Sequence, residues 1–260
     1  MLIFIAALRK ELSRLEPLLD VDRVTEARGC VLIQGSAGGL PVVLVHSGVG
    51  KARAQEACRA VIEGCNPEAV ISIGFAGGVD PDVKGGDLIV GEKVYHLDPR
   101  ALAGNGGAAK PRCLSPDTSL LEAATLVLRD EPIPAHSGDL ITVPEVAGPI
   151  AKQWIWSRIP AKAVEMESYW IAEAMGEKGI PFLAVRAATD EQNDPLPQYH
   201  RFEDEMGNIH PVRAALYYLT HPRDLIATPR LASAAGKAAA NMGAFAKLFF
   251  SKIVGSGAGS

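Results

Sequence analysis

Ala163-Val164-Glu165-Met166-Glu167-Ser168 closes an apolar run that begins at Ile159, and a helical pattern, Tyr169-Trp170-Ile171-Ala172-Glu173-Ala174-Met175, follows at once. An apolar strand that ends in carboxylates and turns into a helix places polar groups where an open α/β sheet presents its ligand crevice. The same two acids also suit the first turn of a helix, where the macrodipole favours negative charge. The rest of the chain decides between these readings.

Working outward, the pattern repeats. Phe182-Leu183-Ala184-Val185-Arg186-Ala187-Ala188 is a strand-like run that ends in Thr189-Asp190. Residues 69–73 are continuously apolar, as a parallel strand covered on both faces requires, and lead into Gly74-Phe75-Ala76-Gly77-Gly78. Small residues there let backbone approach a ligand closely. Residues 2–7 form a first strand that runs into Arg9-Lys10-Glu11, with Leu8, Leu12, Leu15 and Leu19 at helical spacing. Glu11, residues 74–78, Glu167 and Asp190 therefore all fall at the carboxyl ends of expected strands. Residues 30–35 and 41–46 read as a hairpin around Ser36-Ala37-Gly38-Gly39. Further strands are expected over 87–95 and 135–143, and helices over 52–62, 118–128, 144–156, 212–219 and 230–253. The alternation predicts an α/β fold of three layers, a central, mostly parallel twisted sheet flanked by helices.

Composition bounds the function. The 260 residues are 48% hydrophobic with a net charge of −4, which argues against nucleic acid as the main partner. Cys30, Cys58, Cys65 and Cys113 lack the spacing of a zinc site and read as reduced thiols of a cytoplasmic protein. No metal cluster is visible. Ser47-Gly48-Val49-Gly50-Lys51 resembles a phosphate loop, but no Ser or Thr follows Lys51 and no Gly stands five positions before Gly50. Arg53 stands where a dinucleotide fingerprint has its third glycine. A glycine turn onto a helix N-terminus still offers N–H groups to an anion or a hydroxyl, and can equally be only a tight turn. Residues 230–253 carry +4 and no acid, so the remainder carries −8. Leu231, Ala234, Ala238, Met242, Phe245, Phe249 and Ile253 form an apolar stripe there. The stripe suits packing on the domain, or peripheral contact with a membrane or a lipid.

The motifs at 163–168, 182–190, 47–51 and 74–78, in this order, resemble the nucleoside phosphorylase/nucleosidase superfamily, in particular its methylthioadenosine/S-adenosylhomocysteine nucleosidases. The resemblance covers 1–190, which reads as the catalytic core. Residues 191–253 read as a C-terminal extension packed on the same domain, and 254–260 as a flexible tail. The proline-bearing extension is more similar to the hopanoid-associated phosphorylases, which remove adenine from adenosylhopane. The resemblance implies cleavage of the N-glycosidic bond of a 5′-substituted adenosine. Asp190 protonates the departing purine at N7, Glu167 accepts hydrogen bonds from the ribose hydroxyls, and Met166 packs on the sugar. Glu11 holds the attacking water, and Ala76 and Gly77 line base and sugar through their backbone. Ile141 and Thr142 fall where those nucleosidases place a base-stacking aromatic and its neighbour. Phe75 replaces a small polar residue. A homodimer is implied, with the loop at 100–110 as a candidate for closing the neighbour's site.

The residue types suit this chemistry in their own right. A positioned acid relieves a leaving group by about 10²–10⁴-fold, and carboxylates near the sugar stabilise its oxocarbenium character. Asp190 has to be protonated when it acts, so its carboxyl is expected to titrate above the usual range. Glu11 favours water over phosphate, because a carboxylate repels an anion and accepts a proton. No cofactor is needed, and phosphate enters only as co-substrate of a phosphorylase. The alternatives are phosphorolysis to ribose-1-phosphate, a methylthioadenosine/S-adenosylhomocysteine nucleosidase, and a nucleoside-binding module without catalysis.

Overall fold

The computed structural model describes residues 1–97, 112–197, 201, 204, 206 and 208–257. The loop at 100–110, and with it the expected closure of a neighbour's site, lies outside the described residues. The strands are β1 (Leu2–Ala6), β2 (Asp20–Ala27), β3 (Cys30–Ala37), β4 (Leu40–His46), β5 (Ala69–Gly78), β6 (Leu88–His96), β7 (Cys113–Leu114), β8 (Ala135–Thr142), β9 (Ala163–Glu165) and β10 (Phe182–Asp190). The helices are α1 (Arg9–Leu12), α2 (Lys51–Gly64), α3 (Thr118–Arg129), α4 (Pro149–Trp156), α5 (Ser168–Glu177), α6 (Pro211–Thr220) and α7 (Pro222–Gly257).

The central strands are buried on both faces. In β1 the period of two sends Leu2, Phe4 and Ala6 into one apolar cluster and Ile3 and Ile5 into another. The first cluster is closed by residues of α1, α3 and α7, the second by residues of α2 and α5. The expected three layers follow from that division. A third cluster, with Val79, Ile141, Val143, Ile155 and Val164, lies under α4.

The sheet is more mixed than its apolar strands suggest. Among the described residues five pairings are parallel and five antiparallel. β10, β6, β8, β9 and β5 pair in a closed ring, because β10 also pairs with β5. β1, β4, β3 and β2 extend from β5 as an open wing. The antiparallel β3–β4 hairpin is the expected one, and Gly38 (φ 57°) and Gly39 (φ 83°) take the left-handed turn that joins it. β2 was not expected: it is a polar edge strand, exposed along almost its whole length, and carries no apolar period to read.

Two helices are shorter than their leucine or apolar patterns. The run after β1 gives only α1 and a 3₁₀ turn over Glu16–Leu18 that holds Pro17. The helix expected over 144–156 begins at Pro149, where proline suits the first turn. At the other end, α7 is longer than expected, runs through Pro229 and continues to Gly257, so only 258–260 of the expected flexible tail lie outside the described residues. It packs on β10, α3 and α1. Its apolar stripe from Leu231 to Phe249 is buried in the domain, with Met242, Phe245 and Phe249 wholly inaccessible. A membrane contact through 230–253 therefore loses the apolar face on which it rested, because the domain core already covers that face. Among the described residues no helix is long and apolar enough to cross a membrane.

Candidate active site

The end of β5 is the floor of the site. β10 runs parallel beside it, with Ala188 opposite Ala76 and Asp190 opposite Gly77. β9 lies on its other side, with Val164 opposite Gly77, and delivers Glu165, Met166 and Glu167. β1 ends nearby at Ala6, and Ala7 and Leu8 lead along the cavity into Glu11. These elements surround one cavity of about 620 Å³. Glu11, Phe75, Ala76, Gly77, Met166, Glu167 and Asp190 all line it. Seven of the nine residues singled out in the sequence are thus brought together.

Ile141 and Thr142 are the exceptions, and their expected place against the base is corrected. Both are wholly buried away from the cavity. Ile141 belongs to the third apolar cluster. The Thr142 hydroxyl donates to Glu165 Oε1 and accepts from the Tyr169 N–H at 3.0 Å. β8 pairs in register with β9 at these positions, so the chain reaches the cavity only beyond the strand end, at Val143.

Glu165 is the structural acid of the pair. Its Oε2 accepts from the N–H groups of Glu167 (3.0 Å) and Ser168 (2.7 Å) and from Arg186 Nη2 (2.6 Å). Arg186 also donates to Ser72 Oγ (2.9 Å) and Ser168 Oγ (2.7 Å). It is buried in the middle of an apolar strand, where a charge persists only if paired and hydrogen-bonded. Gly74 makes room for it, since a Cβ there would collide with the guanidinium and with Glu11 Oε1.

Glu11 is fixed at both oxygens. Oε1 accepts from the Phe75 N–H at 2.6 Å and Oε2 from the Leu8 N–H at 2.7 Å. Burial nevertheless pushes its carboxyl above the usual range, against those N–H groups and Arg186. Glu167 Oε1 accepts from the Gly50 N–H at 2.7 Å. Gly50 has φ 90° and sits at the N-terminus of α2, so the glycine turn there holds one of the protein's own carboxyl groups. Burial, and then the neighbouring Glu165, raise Glu167 to about 8. One guanidinium serves three buried carboxyl groups, and Glu165 has the direct bond to it.

Asp190 also titrates above its usual range, because burial outweighs the opposing ammonium of Lys152. Lys152 was missed in the sequence. It is wholly buried on α4, forms an ion pair with Asp190 Oδ2 and donates to the Glu191 carbonyl at 3.0 Å. Nothing in Pro149-Ile150-Ala151-Lys152-Gln153-Trp154 separates this lysine from a solvated one. Arg186 did carry a signal, a lone charge inside an apolar strand, although no role was read from it.

The basic residues near the glycine turn are engaged elsewhere. Arg53 donates to the carbonyls of Ser47 (2.8 Å) and Gly29. Lys51 lies 4.0 Å above the Trp170 ring. Arg9 and Lys10 lie at the cavity and are exposed. Beyond the carboxyl groups the cavity continues along an apolar wall that includes Leu196, Ile209, Tyr218, Leu231 and Ala235. Among the described residues no group of His, Cys, Asp and Glu could hold a metal ion.

Fold and site define an α/β protein that takes a small molecule at the carboxyl ends of its strands, under buried carboxyl groups. Residues 2–219 match the family model described as the Phosphorylase superfamily, and the chain belongs to that family. It is 29% identical over 193 residues to the 5′-methylthioadenosine/S-adenosylhomocysteine nucleosidase of Tolumonas auensis, covering 72% of this chain and 81% of that one. The structure is similar to that of the corresponding nucleosidase of Neisseria meningitidis in complex with methylthio-immucillin-A. The TM-score is 0.73 at 24% identity, over 98% of both chains. It is also similar to the nucleosidase of Colwellia psychrerythraea in complex with adenine, with a TM-score of 0.65 at 29% identity over 74% of this chain and 83% of that one.

Proposed function

We propose that the protein hydrolyses the N-glycosidic bond of an adenosine that carries a large apolar 5′ substituent, and releases adenine. The observation that carries this reading is the division of the cavity. Three buried carboxyl groups stand at one end, and an apolar wall that includes Leu196, Ile209, Leu231, Ala232 and Ala235 forms the other. The base lies over Ala76 and Gly77 with N7 toward Asp190. The ribose lies on Met166 with its hydroxyls toward Glu167. The attacking water sits at Glu11. As the C1′–N9 bond breaks, its electron pair goes to the base, which takes a proton from Asp190. Water adds to C1′ and gives a proton to Glu11. Glu11 places negative charge beside the sugar as it becomes cationic, while Glu167, which keeps its proton, holds the ribose hydroxyls by hydrogen bonds.

Water suits this site better than phosphate. Arg53 is bound to backbone carbonyls and Lys51 to an aromatic face, which leaves Arg9 and Lys10 as the nearby cations at the cavity. Glu11 itself repels an oxyanion. The reading needs no cofactor. Adenosylhopane, which the resemblance of the extension brings in, is one adenosine with a suitable 5′ group. A homodimer belongs to the resemblance to the superfamily, and a cytoplasmic location to the reading of the four cysteines as reduced thiols.

The second reading, a methylthioadenosine/S-adenosylhomocysteine nucleosidase, is favoured by the 29% identity to the Tolumonas auensis relative. Adenine release from methylthioadenosine, S-adenosylhomocysteine and a series of 5′-alkyl adenosines, with and without phosphate, separates the readings. The first predicts kcat/KM that rises with alkyl length and no dependence on phosphate. Preference for methylthioadenosine overturns the apolar substituent, and strict phosphate dependence overturns hydrolysis. Asp190→Asn lowers kcat by about 10²–10⁴-fold with nucleoside binding retained; wild-type kcat in that variant sinks the assignment of the acid.

A further inference from the structure

Asp190 does not meet the cavity alone. Lys152 reaches it from α4, and its side chain is wholly buried and outside the cavity lining. The ammonium therefore touches substrate only through Asp190. Its other bond is to the Glu191 carbonyl, the residue that follows Asp190. Asp190 Oδ1 accepts from the Thr189 hydroxyl at 3.0 Å, so both carboxylate oxygens are acceptors. In this arrangement the proton of the pair lies on nitrogen. The pair also needs a gap in β5: a Cβ on Gly77 would stand 2.8 Å from Lys152 Cε, 2.9 Å from Nζ and 3.0 Å from Asp190 Oδ2. A buried ion pair is a poor device for stability, since apolar residues of similar volume commonly serve a fold as well or better. Its place on the acid of the reaction calls for a chemical role.

We infer that Lys152 is a positioning residue that holds Asp190 and serves as its proton reservoir, supplying through it the proton taken by the departing adenine. The inference rests on Asp190 being the acid. In the step, the C1′–N9 electron pair moves to the base, Asp190 passes a proton to N7, and Lys152 passes a proton to Asp190 and is left neutral. Water, which forms the new bond to C1′, gives its proton to Glu11. After adenine leaves, the proton on Glu11 returns through solvent to the Lys152–Asp190 pair, and atoms and charge balance. Burial of Asp190 favours its protonated form and eases the transfer from the ammonium. The charged groups around the pair are fixed. Asp194 lies close and is bound to Arg230. The Glu191 carboxylate is bound to Arg230 and Lys84. Across the cavity stand Glu11 and Glu167, with Glu165 on Arg186 behind them.

Two variants and two leaving groups test this. Adenine needs a proton to leave; p-nitrophenolate, from p-nitrophenyl β-D-ribofuranoside, does not. In Lys152→Arg the charge remains, but a guanidinium does not release its proton. The ratio of kcat for the adenine nucleoside to kcat for the p-nitrophenyl riboside is expected to fall at least 100-fold. In Lys152→Met the proton has to sit on Asp190 itself, and the alkaline limb of kcat for adenine release is expected to move down by at least one pH unit. An unchanged ratio in Lys152→Arg, or an unmoved limb in Lys152→Met, overturns the reservoir. If neither variant folds, the wild type decides: an alkaline limb for adenine release that is absent for p-nitrophenolate supports the inference, and a shared limb overturns it. Failure confined to the Lys152 variants leaves the hydrolase reading intact. A wild-type ratio in Asp190→Asn removes the acid assignment on which both rest.

Discussion

Gly50 and Glu167 are joined across 117 residues by one hydrogen bond, 2.7 Å from the amide at the start of α2 to Glu167 Oε1. The bond couples the open wing of the sheet to the loop that follows β9. It also orients Glu167 although burial and Glu165 keep its proton on to about 8.

That raised value gives a pH dependence of stability with a definite sign. The folded state binds the Glu167 proton more tightly than the unfolded chain, whose carboxyl titrates near 4.5. The contribution is full below that value and is lost as pH rises through about 8. Glu11 and Asp190 act in the same direction. The urea midpoint of the wild type is expected to fall between pH 6 and 9, and Glu167→Gln to flatten the curve. A midpoint that rises over this range contradicts the assignment.

Arg186 is the counter-charge of the buried carboxyl groups. Arg186→Met leaves Glu165 without its partner and is expected to cost about 3–5 kcal/mol, as for other buried pairs broken on one side. Arg186→Lys keeps the charge but not the set of bonds to Ser72, Ser168 and Glu165 and falls between. Denaturant titration of the two variants checks the order.

Gly77→Ala places a methyl group on the Lys152–Asp190 pair. The pair has to shift by several tenths of an ångström, and misplacement of this kind costs up to about 100-fold in rate. The loss is expected in kcat for adenine release, read against kcat for the p-nitrophenyl riboside. An equal fall for both substrates points to general disruption of the floor.

Ala232 lines the apolar end of the cavity. Ala232→Trp fills space that the proposed 5′ substituent occupies. The ratio of kcat/KM for a long-chain 5′-alkyl adenosine to that for methylthioadenosine is expected to fall at least tenfold, about 1.4 kcal/mol of lost discrimination. An unchanged ratio places the substituent elsewhere.

The layers and most of the acids were legible in the chain because buried parallel strands leave continuous apolar runs, and acids just past them stand out. Asp190, Glu167 and Glu11 were found that way. The ring of β5, β10, β6, β8 and β9 was not legible, since closure depends on pairing between strands far apart in sequence. Ile141 and Thr142 were misplaced because both sit inside the β8–β9 pairing, one on each face, and the chain reaches the pocket only past the strand end, at Val143. Lys152 looked like any helical lysine; only the packing of α4 against the end of β10 gives its ammonium a meaning.

The apolar wall consists largely of residues that come after Asp190, whereas the acids all come from Asp190 or before it. Recognition of the appendage and bond breaking are therefore written in separate stretches of one chain. A lineage could exchange one cargo for another by revising 196–235 alone, with the machinery for expelling adenine inherited unaltered. Transplanting that stretch between relatives would then transfer a taste for substrates without disturbing the reaction.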